Sequence, residues 1–159
     1  MATALKLLLV LVVAFPAQLY LAPLLRIGNI RPDFILIILV FISSRYGRMA
    51  GILLGFAAGL SQDVTGSLSL LGANALPKSI VGYTVGTLNG NLTVWTPRVI
   101  NLYIFGSILG HAIIYQVIMV QGLEAPMGKV MNNILLEALM SSVMVIGMRY
   151  IIPLVASKE

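Results

Sequence analysis

Residues 99–120 read VINLYIFGSILGHAIIYQVIMV, an apolar run that contains no Asp, Glu, Lys or Arg. As an α-helix this run reaches about 33 Å, enough to cross the roughly 30 Å of hydrocarbon in a bilayer. The rest of the chain has the same character, because 59% of its 159 residues are apolar and only 9% are charged. Soluble domains average about 45–50% apolar and about 25% charged residues. The composition therefore predicts an integral membrane protein.

On both sides of this run the chain consists of further apolar segments joined by short connections. The segments are Ala4–Leu25, Phe34–Ser44, Met49–Gln62, Leu70–Leu88, Val99–Val120 and Val130–Val155. The first, fourth, fifth and sixth are long enough to span a bilayer, whereas the second and third are short. That short pair either thins the membrane or forms a re-entrant hairpin. We expect an all-α, compact bundle of about six transmembrane helices that forms a single domain over residues 1–159.

Basic residues predict the orientation of this bundle. The ten Lys and Arg residues stand singly at the ends of apolar segments, whereas a nucleic-acid-binding protein clusters them on one face. The side that holds both termini carries more of them, including Arg45, Arg48, Arg98 and Arg149. Because basic residues are retained on the cytoplasmic side, we expect both termini in the cytoplasm and no nucleic-acid partner.

Glycines recur at every fourth position in the third segment, at Gly51, Gly55 and Gly59. A shorter row of the same spacing occupies the fifth segment, at Gly106 and Gly110. Small residues four apart form a groove on one helix face and allow helix backbones to approach closely in lipid. The longer row has two interpretations: packing within the bundle, or a docking groove for a transmembrane helix of another protein.

A polar cluster is expected inside the bundle, because Asn74, Lys78, His111 and Glu137 fall at similar depths within the predicted spans. An ionised group at bilayer depth costs at least about 2.5–3.5 kcal/mol, so such groups usually face the interior and have a partner. We expect Lys78 to pair with Glu137 across helices, with His111 and Asn74 as hydrogen-bonding neighbours. The alternatives are an ion pair that only sets helix register, a site for a small polar ligand, and a lipid-facing Lys78 that snorkels to the interface.

Catalytic motifs are absent from the sequence. A single His and no Cys exclude the His-Glu-x-x-His zinc motif and any thiolate site. Asp33 and Asp63 fall at helix ends, so a protease with two aspartates inside the membrane is not supported. Only a serine–histidine pair brought together by folding stays open. We therefore predict a protein that is not an enzyme and that has no cofactor or metal.

A distinctive motif extends over residues 31–90. Its members, in chain order, are Pro32, Asp33, Asp63, Asn74, Lys78, Gly82 and Tyr83. A glycine-rich helix separates the two aspartates, and the stretch 71–78 reads LGANALPK. The motif resembles that of the MreD family of bacterial rod shape-determining membrane proteins, with Pro77 as a variation that kinks the fourth segment.

The resemblance implies a non-catalytic scaffold or regulatory subunit of the cell-elongation machinery, which directs peptidoglycan synthesis at the bacterial inner membrane. The family acts with MreC, whose single helix crosses that membrane, and indirectly with MreB, RodA and a class B penicillin-binding protein. Its architecture is also similar to that of the substrate-binding subunits of energy-coupling-factor vitamin transporters. This similarity supplies the alternative function, a membrane subunit that binds a small molecule for transport.

Several motif residues also have ordinary structural explanations. Pro32 suits the first turn of the second helix, where its missing N–H does no harm. Asp33 beside it suits the positive end of the helix dipole. Residues 71–74 are either part of a helix or a local break whose freed backbone groups are satisfied by Asn74.

Overall fold

The computed structural model describes residues 15–16, 18–25, 32–65, 71–120 and 127–151. These ranges contain six helical segments and no strand. The segments are α1 at residues 18–24, α2 (Phe34–Tyr46), α3 (Arg48–Thr65), α4 (Ala75–Gly86), α5 (Pro97–Val120) and α6 (Met127–Ile151). The all-α prediction is confirmed for this part of the chain, and the start of the first predicted segment, residues 4–14, lies outside it.

Helices α5 and α6 are the two described helices that are long and apolar enough to cross a membrane. Their apolar windows, Pro97–Val120 and Val130–Tyr150, have mean hydropathies of 1.7 and 1.6. Only 22% and 28% of the two windows is buried inside the fold. Most of this apolar surface therefore faces outward, where water would be an unfavourable solvent and lipid a favourable one.

Helix α2 lies at the centre of the fold, because its side chains are buried on every side. Leu36, Leu39 and Val40 are 0% exposed, as expected for a helix that is apolar all round. The hydroxyl of Ser43 donates to the carbonyl oxygen of Leu39 at 2.6 Å, so this buried polar group is satisfied within the helix. With 13 residues, α2 has the short length predicted for the second segment.

Both ends of α2 are set by specific residues. The Oδ1 atom of Asp33 accepts the backbone N–H of Leu36 at 3.0 Å, which makes Asp33 the N-cap. Pro32 precedes this cap, so the expectation that it occupies the first helical turn was wrong. Gly47 ends the helix with a φ of +86° and donates its N–H to Ser43. Since this left-handed conformation favours glycine, the chain passes from α2 into α3 within one residue.

Helices α3 and α4 pack antiparallel along a seam of small residues. The facing positions are Gly51 with Gly82, Gly55 with Lys78, Gly59 with Ala75, and Arg48 with Gly86. A Cβ atom on Gly55 would lie 2.5 Å from the carbonyl oxygen of Lys78, closer than real side chains approach. Direct contact of backbones is how small residues hold helices together in lipid. Of the two interpretations of this glycine row, the structure uses packing within the chain.

The fourth predicted segment, Leu70–Leu88, is not one continuous spanning helix. A turn at residues 71–74 precedes α4, and turns follow it as far as residue 94. Gly72 interrupts the helix with a φ of +101°, a left-handed conformation. Helix α4 has only 12 residues, which corresponds to about 18 Å. It is therefore too short to cross a bilayer by itself, contrary to the expectation for this segment.

The two ends of the bundle differ in charge. One end, called the basic end, holds the arginines Arg45, Arg48, Arg98 and Arg149. Hydrogen bonds between different helix ends bring these arginines to the same side of the fold. Asn89 donates to the carbonyl oxygen of Arg45 at 2.6 Å, and Arg149 donates to the carbonyl oxygen of Pro97 at 3.4 Å. The start of α2 and the end of α3 form the opposite end, called the acidic end, which holds Asp33 and Asp63.

Candidate functional site

Lys78 is buried at the junction of α2 and α4, with 0% of its surface exposed. Its ammonium nitrogen lies 2.6 Å from Oδ2 of Asp33 and donates to Oδ1 of Asn74 at 3.2 Å. The partner expected for Lys78, Glu137, is replaced by the carboxylate that caps α2. One aspartate therefore performs two tasks, since Oδ1 of Asp33 caps the helix while Oδ2 neutralises the buried lysine.

Asp63 holds the turn that leads into α4. Its carboxylate accepts the backbone N–H groups of Gly72 and Asn74, both at 2.9 Å, and that of Ala75 at 3.3 Å. These N–H groups are the ones that a helix start leaves without partners. Residues 71–74 thus form the local break that the sequence left open. The group that satisfies the break is Asp63, which corrects the role expected of Asn74.

Asn74 connects the two aspartates through Lys78. Its side-chain N–H donates to Oδ1 of Asp63 at 2.9 Å, and its side-chain oxygen accepts from Lys78. The result is a continuous chain of hydrogen bonds, here called the motif network, made of Asp63, Asn74, Lys78 and Asp33. Because these residues belong to α2, α3, α4 and the turn before α4, the network fixes the mutual position of three helices.

The other motif residues lie along the packed faces of α3 and α4. Gly82 forms part of the glycine seam, opposite Gly51. The ring of Tyr83 lies under the guanidinium group of Arg48 at 5.7 Å, in a cation–π contact. The motif residues of the described region thus have structural contacts, although their sequence order alone did not reveal them.

His111 and Glu137 form a second polar site, between α5 and α6. The His111 side chain is 2% exposed, and its ring stacks on that of Tyr115 with 6.1 Å between centroids. Its Nδ1 atom lies 4.0 Å from Oε1 of Glu137, beyond hydrogen-bonding distance. Within the described ranges, neither ring nitrogen of His111 has a hydrogen-bond partner. The predicted cluster is therefore divided, with Asn74 and Lys78 in the motif network and His111 and Glu137 in this pair.

Gln18 makes a contact between helices that the sequence pattern did not predict. Its side-chain oxygen accepts the N–H of Phe34 at 2.7 Å, and its side-chain nitrogen donates to the carbonyl oxygen of Pro32 at 3.3 Å. It thereby attaches α1 to the start of α2 on both sides of Asp33. The signal available in the sequence was an isolated amide inside the apolar first segment.

An open groove runs between α4 and α5, and is called the α4–α5 groove. Its volume is about 510 Å³, and its lining includes Ile80, Thr84, Trp95, Tyr103, Gly106 and Gly110. A Cβ atom added to either glycine would meet no atom of the other described residues within 4 Å. A second open groove, of about 670 Å³, lies beside the turn at residues 71–76. Neither Lys78, His111 nor Glu137 lines these two grooves.

A metal centre finds no support in the part of the chain that is described, since it contains no group of three or more His, Asp or Glu side chains able to hold an ion. Within the residues that the structure describes, the site is thus a set of buried charges, a histidine without a hydrogen-bond partner, and open apolar grooves.

The family model for the rod shape-determining protein MreD matches residues 1–155. No curated protein matches the chain, and no solved structure matches it.

Proposed function

The chain belongs to the family of the rod shape-determining protein MreD, and from this premise we propose that it is a non-catalytic scaffold of the bacterial cell-elongation machinery. Membership makes it a membrane protein with a part in determining rod shape. In the proposed role it binds the transmembrane helix of MreC, and through MreC it acts on MreB, RodA and a class B penicillin-binding protein. The whole chain serves as one transmembrane domain.

The observation that carries this proposal is the α4–α5 groove. It presents Gly106 and Gly110 on one face of α5 with open space above them. Small residues at this spacing allow a second helix to approach closely, which is the main source of helix affinity in lipid. Trp95 and Tyr103 stand at the basic end of the groove, 5.6 Å apart in an edge-to-face contact. The groove therefore offers a helix both close backbone contact and an aromatic anchor.

The row at Gly51, Gly55 and Gly59, first considered as the dock, is less suited to that role. Helix α4 already covers it, with contacts between backbone atoms. An incoming helix would have to displace α4 and with it the Lys78–Asp33 pair. We therefore propose that MreC binds at the open glycine row on α5, Gly106 and Gly110.

Binding at the α4–α5 groove is tested with Gly106→Ile and Gly110→Ile. Each variant is co-expressed with MreC and purified in a mild detergent, and the co-purified MreC is quantified. We expect a decrease of about tenfold, equivalent to about 1.4 kcal/mol of binding free energy. The fold is expected to tolerate both changes, because none of the described residues has an atom within 4 Å of the new Cβ atoms.

The matched control is Gly147→Ile, the same change at a glycine of α6 that is also open. It is expected to leave MreC binding unchanged. Wild-type amounts of MreC on both α5 variants would rule out this groove as the dock, and equal losses on all three variants would show a non-specific effect of bulk.

The bundle is proposed to sit in the inner membrane with its basic end and both termini in the cytoplasm. Support comes from the separation of charge, since Arg45, Arg48, Arg98 and Arg149 share one end of the fold. Basic residues near membrane spans are retained on the cytoplasmic side, whereas Asp and Glu contribute little to orientation.

The alternative function, a transporter subunit that binds a small molecule, receives less support from the described residues. It places the ligand at the polar cluster, but the Lys78 ammonium group is fully buried and already contacted by Asp33 and Asn74. The two open grooves have apolar linings that do not include Lys78, His111 or Glu137. A ligand bound at Lys78 would have to displace its existing contacts in the motif network.

A further inference from the structure

The charges of the motif network are balanced without help from α5 or α6. Lys78 and Asp33 form an ion pair of 2.6 Å, so their charges cancel. Asp63 is held by the N–H groups of Gly72, Asn74 and Ala75 at the start of α4, where the helix dipole favours a negative charge. No cation of this network is left over for another acid.

The carboxylate of Glu137 is not neutralised by any charge of the motif network. Within the described part of the chain, the one basic group within 4.0 Å of its carboxylate is His111. Glu137 lies in the middle of α6, inside the apolar window Val130–Tyr150, and 21% of its side chain is exposed. An ionised carboxylate beside a neutral imidazole would leave one uncompensated negative charge at this depth, which is unfavourable in low dielectric.

His111 presents the complementary problem. Both of its ring nitrogens are buried without a hydrogen-bond partner among the described residues. A neutral imidazole has one donor and one acceptor, and burial of either without a partner is costly. An approach of about 1 Å between Nδ1 and Oε1 would bring them within hydrogen-bonding distance.

We propose that His111 and Glu137 together bind a single proton at neutral pH, as a shared proton site that neutralises the interior between α5 and α6. One proton neutralises the charge of Glu137 and gives Nδ1 of His111 a hydrogen-bond partner. It removes the uncompensated charge, either as a carboxylic acid that donates to the imidazole or as an imidazolium that donates to the carboxylate. In both forms a hydrogen bond closes between Nδ1 and Oε1.

A proton fits this site better than a metal cation. Alkali and alkaline-earth ions take several oxygen ligands, whereas the described ranges bring no third His, Asp or Glu to this pair. The Oγ atoms of Ser141 and Ser142 are buried on α6 without partners among the described residues, but a hydroxyl adds no charge. A proton needs only the two side chains that are present.

The consequence is a contact between α5 and α6 that depends on pH. Asp33 at the start of α2 and Lys78 of α4, whose charges cancel, act on both members of the pair. Tyr115 of α5, which stacks on His111, is a phenol uncharged near neutral pH, and Asp63 of α3, which acts on Tyr115, is held by N–H groups. As pH rises and the proton leaves, the interior gains an uncompensated negative charge. Stability is therefore present below the pH at which the proton dissociates, and is lost above it.

The direct test uses the single histidine of the chain. Full-length protein is labelled with ¹⁵N-histidine, purified through a tag without histidine and placed in lipid nanodiscs at pH 7. The ring signals then report on His111 alone, and infrared spectra report protonated carboxylic acids. We expect either an imidazolium signal from His111 or an acid carbonyl band that Glu137→Gln removes.

A neutral imidazole, together with no acid band that depends on Glu137, would overturn the proposal. The matched control is Glu124→Gln, which removes an acid between the fifth and sixth apolar segments and is expected to leave both signals unchanged. Should Glu137→Gln fail to fold, ¹³C-labelling of the glutamate carboxyl group in a Glu124→Gln, Glu159→Gln double variant assigns the band, because Glu137 is then the one glutamate left in the sequence.

A second measurement tests the consequence for stability. The melting temperature of the wild-type protein is followed from pH 7 to pH 10, and we expect a decrease that Glu137→Gln abolishes. Parallel curves for the two proteins would contradict the proposal. Replacement of sodium by choline at fixed pH is expected to change nothing, and a sodium-dependent shift confined to the wild type would identify a cation in place of the proton.

Discussion

Lys78 places its ammonium group in the interior of this protein, with 0% of its surface exposed. The free energy of its burial depends on two oxygen atoms, Oδ2 of Asp33 and Oδ1 of Asn74. A buried ion pair adds little net stability, but removal of one partner leaves an uncompensated charge. The pair therefore acts mainly as a constraint on how α4 sits against the start of α2.

Replacement of Lys78 by Met tests this constraint. Breaking a buried pair from one side costs about 3–5 kcal/mol, so Lys78→Met is expected to lower the free energy of unfolding by that amount. Asp33→Asn removes the same pair while keeping a good N-cap residue. Because both changes remove one interaction, the double variant is expected to cost clearly less than the sum of the single variants.

The measurement is equilibrium unfolding in mixed detergent micelles, followed by circular dichroism. Arg98→Met serves as the control, since it removes an exposed arginine and is expected to cost less than about 1 kcal/mol. Additive effects of Asp33→Asn and Lys78→Met would show that the two residues are not coupled.

At the scale of elements, the α3–α4 pair is held by backbone contact. Glycine is needed at Gly51, Gly55 and Gly59 because the facing helix fills the space that a side chain would take. The row at Gly106 and Gly110 has the same spacing but faces open space. Two rows that look alike in sequence thus serve different purposes, one inside the bundle and one on its surface.

Gly55→Ile is accordingly expected to prevent stable folding. The added atoms would meet the backbone of α4 at 2.5 Å, and backbone cannot move aside as a side-chain end can. The yield of monodisperse protein in detergent, measured by size-exclusion chromatography, should fall far below that of the wild type. Gly147→Ile, which adds the same side chain at an open position, should keep the wild-type yield.

A Gly55→Ile protein with wild-type yield and melting temperature would contradict the packing described for α3 and α4. The comparison also matters for MreC binding, because a loss of MreC on a misfolded Gly55 variant would not locate a dock.

At the scale of the whole molecule, charge and hydropathy define how the bundle sits in a membrane. Helices α5 and α6 expose most of their apolar surface, while the basic and acidic ends lie on opposite sides of the fold. The proposed role is therefore exerted sideways, through contacts between helices in the bilayer.

The absence of cysteine makes the orientation directly testable. Thr96→Cys places one exposed thiol at the basic end, and Val64→Cys places one near the acidic end, where Val64 is 54% exposed. A membrane-impermeant maleimide is expected to label the first only in inverted vesicles and the second only in intact spheroplasts. The reverse pattern would place the basic end outside the cytoplasm and contradict the proposed orientation.

Most residues of the site could be predicted from the sequence, but most of the contacts between them could not. The motif already contained Asp33, Asp63, Asn74 and Lys78, and the spacing of Asn74 and Lys78 predicted that they are neighbours, which their hydrogen bond confirms. Asn74 lies in the turn before α4 and not within a helix. The predicted partner of Lys78 was wrong, because Asp33 was expected only to stabilise the start of the second helix. The break before α4 was left open, since Gly72 signals a break but does not indicate which acid accepts the freed N–H groups.

Hydropathy, segment length and the order of the motif residues can all be read along a single chain. From them alone the amino-acid sequence indicated a lipid environment, an all-α fold and the family. The tertiary structure alone decided which carboxylate neutralises Lys78, which glycine row is filled, and that His111 and Glu137 face each other. These outcomes depend on how helices distant in sequence are placed against one another. A small change in that placement would exchange one partner for another, and no pattern within a short stretch of sequence predicts which partner is chosen.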